Sequence, residues 1–349
     1  MIARRSLLLA GAAGLAAPAL VRPASAQEIT LRLHHFLPAV SAVHRHFLMP
    51  WAQKVAAESQ GRLRIQIFPS MQLGGAPPQL FDQARDGVAD IIWTLPGNTP
   101  GRFPRIEVFE LPFVADRRAA PNAKAVWEFY QTHLRDEFRE VHPITVWAHD
   151  AGVIHANKEV RRMEDLRGLK LRFPTRQAGE ALRALGAAPI GMPVPQVPEA
   201  LSQRVIDGAV VPWEVVPSIR LQELVRHHTE IPGSPTFYTT TFILAMNPAR
   251  YAGLPAELKQ VLDANSGMVA AEMAAKVWDE QGPVVREQVA RRRENRIIQI
   301  TEAEKERWMV ACRPVLDAWI NGSAARGFDG AALLADARGL IAKHAAARG

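Results

Sequence analysis

The sequence contains almost no cysteine: Cys312 is the only one in 349 residues. One thiol cannot form an internal disulfide or a site with several thiolate ligands, which excludes a disulfide-stapled scaffold and a cysteine-rich zinc domain. Stability must therefore come from an apolar core, and a chain of this length favours two lobes over one core. Cys312 lies in an apolar helical pattern, where a buried and inert thiol is expected.

The sequence also lacks an apolar run long enough to cross a bilayer. The longest run covers residues 7–20 and is shorter than the ~20 residues that a membrane-spanning helix needs. Arg4 and Arg5 precede it, and a small-x-small site ends at Ala26. This pattern predicts a signal peptide over 1–26 and a mature chain exported to the periplasm, by either the general secretory or the twin-arginine route.

Strong positive charge is missing from the predicted mature chain. The formal net charge is +7, and the predicted signal peptide holds three arginines and no acid, so its removal leaves +4. A net positive charge this small, carried by scattered residues, argues against nucleic-acid binding. The one dense basic run, 291–293, is followed by Glu294 and is predicted to be a solvated helix end.

Catalytic and cofactor motifs are missing as well. The sequence has no G-x-S-x-G elbow, H-E-x-x-H pair, P-loop or dinucleotide fingerprint. His34 and His35 are neighbours in a predicted strand and point to opposite faces, so no metal site is predicted. We therefore expect no cofactor, no metal and no enzyme activity.

The periodicity of the sequence predicts an α/β protein. Strands and helices alternate through two units, and the strand-like stretches 149–157 and 237–246 are able to run between lobes. Residues 258–293 have the pattern of one long helix that can brace both lobes, with Gly282 and Pro283 expected to bend it. The predicted strands are 29–35, 63–68, 89–95, 141–149, 168–173 and 208–212, and the predicted helices include 41–59, 79–85, 177–185, 199–204 and 301–319.

Aromatic residues stand at strand ends and breaks, where ligand pockets of α/β sheets form. For each of them the alternative is a place in the core. Trp213 differs because Pro212 and Glu214 flank it in a rigid, polar turn. The set is Phe36, Trp93, Trp147, Phe173, Trp213, Phe237 and Tyr238.

Arg172 is the most informative charge. It lies in the strand pattern of residues 169–174, between apolar neighbours. If its side chain is buried it needs an anion, and its planar guanidinium matches a carboxylate. The alternative from spacing alone is a solvated strand face that carries both Lys170 and Arg172.

The order and spacing of short motifs resemble one family. The chain looks like a solute-binding protein of the tripartite ATP-independent periplasmic (TRAP) transporters, of the dicarboxylate-binding (DctP) type. The motifs are GRL at 61–63, QLGG at 72–75, DGVAD at 86–90, FELPF at 109–113, DLRGLKLRFP at 165–174, VIDG at 205–208, MN at 246–247 and LP at 254–255.

The resemblance implies a two-lobe periplasmic binding protein fold (type II-like) with crossing strands and a long bracing helix. The expected lobe I is 27–149 plus about 237–262, and lobe II is 150–236 plus about 290–325. The long helix is expected at 255–293 and a C-terminal helix at 326–349.

The resemblance also implies a function. A small carboxylate is captured between the lobes and delivered to the TRAP permease membrane subunits, and Arg172 grips the ligand carboxylate. The alternatives are a ligand-sensing subunit of a signalling system and, less favoured, a periplasmic enzyme. The protein is expected to be a monomer or weak dimer. The other candidate ligand-binding residues are His35, Phe36, Trp93, Trp147, Phe173, Pro174, Trp213, Glu214 and Phe237.

Two departures from the family pattern bear on the ligand. Many relatives carry a second arginine at the place where this chain has residues 150–158, and this stretch contains none. Apolar residues follow the Asp207-Gly208 pair. We therefore expect a less polar pocket, lined by Trp213, Trp147 and Phe237. Such a pocket suits a monocarboxylate hydroxy or keto acid with an apolar or aromatic body.

Overall fold

The computed structural model describes residues 28–347, in which eleven strands form two sheets. The predicted signal peptide lies outside the described residues. The strands are Ile29–His35 (β1), Leu63–Phe68 (β2), Ile91–Thr94 (β3), His142–Ala148 (β4), Val153–Ala156 (β5), Lys170–Phe173 (β6), Ala188–Gly191 (β7), Gly208–Val211 (β8), His227–Glu230 (β9), Thr241–Met246 (β10) and Arg296–Gln299 (β11).

The α-helices lie between and after these strands. They are Met49–Glu58 (α1), Leu80–Arg85 (α2), Ala119–Phe129 (α3), Arg176–Ala184 (α4), Val197–Ser202 (α5), Leu221–Leu224 (α6), Pro248–Ala252 (α7), Ala256–Ala264 (α8), Met268–Ala290 (α9), Glu302–Asn321 (α10) and Gly330–Ala346 (α11). None of these helices is both long and apolar enough to span a membrane. The predicted α/β class is confirmed.

The first sheet has the order β2-β1-β3-β10-β4. Strand β1 is parallel to β2 and β3, whereas β10 is antiparallel to both β3 and β4. Leu33 pairs with Ile91, and every residue of β3 is buried, as expected for a strand covered on both faces. Helices α1, α2 and α3 pack beside this sheet.

The second sheet has the order β11-β9-β5-β8-β6-β7. Strand β6 is parallel to β7 and β8, and it pairs Arg172 with both Ile190 and Ala209. Arg172 is therefore held from both sides by the sheet. Helix α4 packs on β6 and β7, and α10 packs on α4.

Two crossing segments, 149–152 and 231–240, connect the sheets and pair with each other. His149 N donates to Thr240 O at 3.3 Å, and Gly152 N donates to Tyr238 O at 3.1 Å. A Cβ on residue 152 would lie 1.9 Å from the Tyr238 ring, so this close approach requires glycine.

The single long helix predicted over 258–293 is wrong, because the chain forms α8 and α9 with a break between them. Gly267 sits in the break with φ +67°, and a Cβ there would lie 2.9 Å from the Trp127 ring. Its N–H donates to Ile144 O at 2.7 Å. The break is thus set by contacts with distant residues. Helix α9 continues without interruption through Gly282 and Pro283.

Helix α9 contacts parts of both sheet units. Its Asp279 accepts hydrogen bonds from the backbone N–H groups of Ala119 and Ala120 at the start of α3, at 2.8 and 2.9 Å. Further along, Arg286 forms an ion pair with Glu230 of β9 at 2.7 Å. The helix therefore packs against elements of both sheets.

Some elements are absent from the prediction. Strand β7 is not among the predicted strands, yet it forms over Ala188–Gly191 and pairs Pro189 with Leu171. Since β7 is the last strand of its sheet, a proline without an N–H is tolerated there. Helix α3 and the two short, polar strands β9 and β11 were not predicted either.

Candidate functional site

A cavity of about 50 Å³ lies where the ends of strands from both sheets meet. Residues that follow or end β1, β3, β6 and β8 line it, and these are the carboxyl ends at which α/β sheets form ligand sites. The crossing segments close a further side. The lining includes Phe36, Leu37, Trp93, Leu95 and Phe242 from the first sheet unit, Arg172, Pro174, Val210, Val211 and Glu214 from the second, and His149, Tyr238 and Thr240 from the crossings.

Arg172 places a guanidinium in this mostly apolar lining. The residue is only 3% exposed. Its Nε donates to Met192 O at 2.8 Å and its Nη1 to Val210 O at 3.2 Å, so the plane of the fork is fixed. Within residues 28–347 it forms no ion pair with a carboxylate. Burial lowers the pKa of Arg172 to about 10, so the side chain stays positive at neutral pH.

Two buried hydroxyls lie in the same lining. Tyr238 Oη and Thr240 Oγ1 have no hydrogen-bond partner among the described residues. Both residues are almost fully buried, and burial raises the pKa of Tyr238 well above its usual range, so its proton stays in place. An unpaired buried hydroxyl is costly. Both groups are therefore available to donate to an anion in the cavity.

Glu214 contributes a carboxyl group that forms no ion pair with a basic side chain in the described part of the chain. Burial raises the pKa of Glu214 to about 8, so this group is protonated and uncharged at neutral pH. Its Oε2 has no hydrogen-bond partner within the described chain. A neutral carboxyl adds hydrogen-bonding capacity to the wall without repelling an anion.

His149 is held at its backbone and at one ring nitrogen. Its carbonyl accepts from Asn122 Nδ2 and from Thr239 Oγ1, each at 2.8 Å. Its Nδ1 lies 2.6 Å from the carbonyl oxygen of Asp150. Because a carbonyl only accepts, Nδ1 carries the proton and Nε2 carries a lone pair. Burial lowers the pKa of His149 to about 3, which keeps the ring neutral.

Aromatic rings form the apolar wall. Phe36 stacks on Trp93 with centroids 4.8 Å apart, and the Phe242 ring is tilted against Trp93 at 5.6 Å. All three rings are buried, and aromatic rings prefer offset-stacked or edge-to-face partners. The wall therefore suits a flat apolar body.

The structure brings together five of the ten predicted ligand-binding residues. Phe36, Trp93, Arg172, Pro174 and Glu214 all line the cavity. They come from both sheet units, as a cleft between lobes requires.

The other five predicted residues lie outside the cavity lining. His35 Nε2 hydrogen-bonds His44 Nδ1 at 2.9 Å. Trp147 packs against Phe47 and Trp278, Phe173 against Gly179 and Gly191, and Phe237 against Trp308. Trp213 donates from Nε1 to Glu230 at 2.9 Å and packs edge-on against His155.

Strand geometry explains this division for two of them. Successive side chains of an extended chain point to opposite faces. Arg172 and Tyr238 face the cavity, so their neighbours Phe173 and Phe237 face the core. The aromatic pocket expected from Trp213, Trp147 and Phe237 is therefore built by Phe36, Trp93, Tyr238 and Phe242 instead.

His149 and Thr240 line the cavity with polar side chains that can hydrogen-bond a ligand, and the sequence analysis did not single them out. Each lies in a crossing segment, and the prediction that 149–157 and 237–246 run between lobes contained the signal. A polar side chain at such a crossing is placed next to a cleft by the fold itself. The side toward which it points follows only from the pairing of the two segments.

No group of three or more histidine, cysteine, aspartate or glutamate side chains in residues 28–347 is arranged to hold a metal ion. Cys312 is buried, and burial raises the pKa of its thiol to about 12.

Comparison with known proteins identifies close likeness over most of the chain. A family model described as bacterial extracellular solute-binding protein, family 7 (DctP), matches residues 33–322. The chain is similar to a TRAP solute-binding protein from Rhodoferax ferrireducens T118 solved with copurified benzoate, with 44% identity, a TM-score of 0.88, and coverage of 91% of this chain and 98% of that one.

Two further solved structures carry ligands of related chemistry. A marine metagenome TRAP solute-binding protein specific for aromatic acids, solved with 3-hydroxybenzoate, is 41% identical with a TM-score of 0.88, covering 91% of this chain and 99% of that one. A TRAP periplasmic solute-binding protein from Bordetella bronchiseptica, solved with (R)- and (S)-mandelate, is 31% identical with a TM-score of 0.83, covering 90% and 99%.

Proposed function

Since the chain belongs to family 7 of the bacterial extracellular solute-binding proteins, the DctP type that serves TRAP transporters, we propose that its cavity binds a small aromatic monocarboxylate. The resemblance drawn from the sequence motifs is confirmed by the family match and by the TRAP structures. The chain is a TRAP solute receptor for a small organic carboxylate. The aromatic body of the ligand is the proposed part.

The buried guanidinium of Arg172 carries this proposal. It is positive, nearly sealed from solvent and without a carboxylate partner in the described chain. A buried charge in this condition is costly unless a counterion completes the pair. A ligand carboxylate supplies that charge, and the Tyr238 and Thr240 hydroxyls add neutral donors. Among residues 28–347, Arg172 is the one lysine or arginine in the cavity lining, which favours one carboxylate over two.

The size of the cavity favours a single ring. The cavity, about 50 Å³, is smaller than the roughly 150 Å³ apolar cavity that holds benzene in another protein. A single ring with one carboxylate therefore needs less widening of the cleft than a nine-carbon sugar acid does. The stack of Phe36 and Trp93 supplies the face for the ring and adds roughly 0.5 to 1.5 kcal/mol beyond area burial.

We further propose that the chain works in the periplasm and hands its ligand unchanged to the membrane subunits of a TRAP permease. Relatives of this kind are periplasmic receptors. The crossing segments 149–152 and 231–240 are the proposed hinge, because they join the two sheets while contributing residues to the cavity. Recovery of a bound acid of unaltered mass from purified protein tests the absence of turnover.

A monomer or weak dimer remains the prediction for the oligomeric state. The buried residues of α11 pack against α3 of the same chain, and Lys343 pairs with Glu128 at 2.7 Å. This use of the apolar face within one chain favours the monomer. Light scattering after size-exclusion chromatography measures the mass directly.

Isothermal titration of the refolded, ligand-free protein tests the ligand class. The panel is benzoate, 3-hydroxybenzoate, mandelate, lactate, glucuronate and sialic acid. The aromatic acids are expected to bind at least about tenfold more tightly than the others, a difference of ~1.4 kcal/mol. Tight binding of sialic or uronic acid without binding of aromatic acids would contradict the proposal.

A further inference from the structure

We propose that the ligand carries a hydroxyl group in addition to its carboxylate, and that His149 Nε2 accepts the hydrogen bond of that hydroxyl. This inference rests on the proposed function and deepens it, because it narrows the ligand from aromatic carboxylates in general to hydroxylated ones.

The argument begins with the polar groups of the cavity, sorted by what each can do. Arg172 and the indole of Trp93 only donate. The hydroxyls of Tyr238 and Thr240 and the neutral carboxyl of Glu214 can donate or accept. Each of these groups has a hydrogen to give to a carboxylate.

His149 differs from all of them. Its Nδ1 donates to Asp150 O at 2.6 Å, which leaves Nε2 as an acceptor only. Nε2 is buried and has no hydrogen-bond partner among the described residues. A carboxylate cannot satisfy it, because both groups offer lone pairs alone. A ligand of carboxylate and plain ring would therefore leave a buried acceptor unpaired, which is costly.

The ring of His149 is also rigidly placed. Backbone bonds fix the residue on two sides, from Asn122 and Thr239 to its carbonyl oxygen and from its N–H to Thr240. The ring packs edge-on against Tyr238, with centroids 5.7 Å apart. A side chain held in this way can hydrogen-bond a ligand hydroxyl only at one position. A site built around a ligand hydroxyl rejects analogues that lack it.

Protonation of His149 is the competing explanation, since a charged ring would donate to the ligand carboxylate. The titratable groups around it are Asp150, whose Oδ1 lies 3.6 Å from Nδ1, and Arg172, Glu214 and Tyr238 in the same lining. Burial keeps the pKa of His149 far below neutrality, and Arg172 already supplies the positive charge. The neutral ring and a hydroxyl donor fit these surroundings better.

Matched ligands test the inference by isothermal titration. The 2-, 3- and 4-hydroxybenzoates are compared with benzoate and with fluorobenzoates that carry fluorine at the same position, which have similar size and no donor. At least one hydroxy isomer is expected to bind about tenfold more tightly than both its partners. In His149→Phe this ratio falls to about one, whereas His133→Phe, outside the cavity, keeps it.

A second measurement works on the wild-type protein and does not depend on the variant folding. Titration at about pH 6 in two buffers of different ionisation enthalpy reports proton uptake on binding. No uptake is expected, because Glu214 is already protonated and His149 stays neutral. Uptake of about one proton would overturn the inference in favour of a charged His149.

The other outcomes separate this inference from the proposed function. Equal binding of hydroxylated and plain benzoates, or a preference that survives in His149→Phe, overturns the role of His149 and leaves an aromatic acid receptor intact. If no benzoate binds wild-type protein while another class of acid does, the aromatic function itself fails.

Discussion

Replacement of Arg172 by alanine tests the central feature of the cavity. The substitution removes the positive side chain that is proposed to hold the ligand, together with its two hydrogen bonds to the carbonyls of Met192 and Val210. Loss of a buried, charged contact costs about 2 to 5 kcal/mol of binding free energy, which is roughly a 30-fold to 5,000-fold increase in Kd.

The stability of the ligand-free protein should change far less. The two lost hydrogen bonds to a charged group contribute about 1.5 to 3 kcal/mol each. Their loss is offset by relief of a buried charge that has no carboxylate partner in the described chain, a penalty of several kcal/mol. We expect the free energy of unfolding to change by less than ~2 kcal/mol, measured by urea titration of ligand-free protein.

Arg172→Lys separates geometry from charge. The ammonium of lysine is a point donor and cannot reproduce the fork that Met192 O and Val210 O orient. The affinity of the Arg172→Lys protein for benzoate is expected to stay within about fivefold of that of Arg172→Ala. Arg183→Ala, an exposed arginine on α4, is the control and should bind like wild type. Binding by Arg172→Ala within about threefold of wild type would refute the anchor.

Three further predictions follow from the same structure. Glu214 is neutral below its pKa of about 8 and charged above it, so affinity for the ligand anion should fall as pH rises from about 7 to 9, and Glu214→Gln should abolish that fall. The pKa of buried His228 is lowered to about 4, so its contribution to stability is present above the unfolded value of 6.5 and is lost as pH falls. Its share of the change in unfolding free energy between pH 7 and pH 5 is about 2 kcal/mol. Urea unfolding of His228→Gln should therefore show a change between pH 7 and pH 5 that differs from that of wild type by this amount. A Cβ on Gly97 would lie 2.5 Å from Thr175 Cγ2, which belongs to the other sheet unit. Gly97→Ala should therefore hinder closure of the two units on the ligand and weaken binding by about tenfold, and adding Thr175→Ala should restore part of the affinity. Unchanged affinity in Gly97→Ala would show that this contact does not limit closure.

Most strands of the fold were predictable because their signals are local. The alternation in 29–35 and 63–68 predicts β1 and β2 with their observed bounds. Strands β9 and β11 were missed because they are short and polar, and pairing across the sheet stabilises them more than composition does. The break at Gly267 was missed for a related reason, since Trp127 and Ile144 lie more than a hundred positions away in the chain.

The candidate site was predictable in part. An arginine between apolar residues in a strand is visible in the sequence, as are the aromatics at the ends of β1 and β3. The sequence could not show which face of β6 meets the cavity, so it did not separate Arg172 from its neighbour Phe173. It also could not show that Nδ1 of His149 meets a carbonyl oxygen.

Local composition and periodicity were enough to establish an α/β protein with an arginine in an apolar strand, because each of those properties depends on residues within a few positions of one another. The cavity required the folded chain. Its walls come from β1, β3, β6, β8 and two crossing segments, which meet only when both sheets have formed. The protonation of Glu214 and the lone pair of His149 follow from burial and from contacts in that assembled cleft, and no run of sequence contains either.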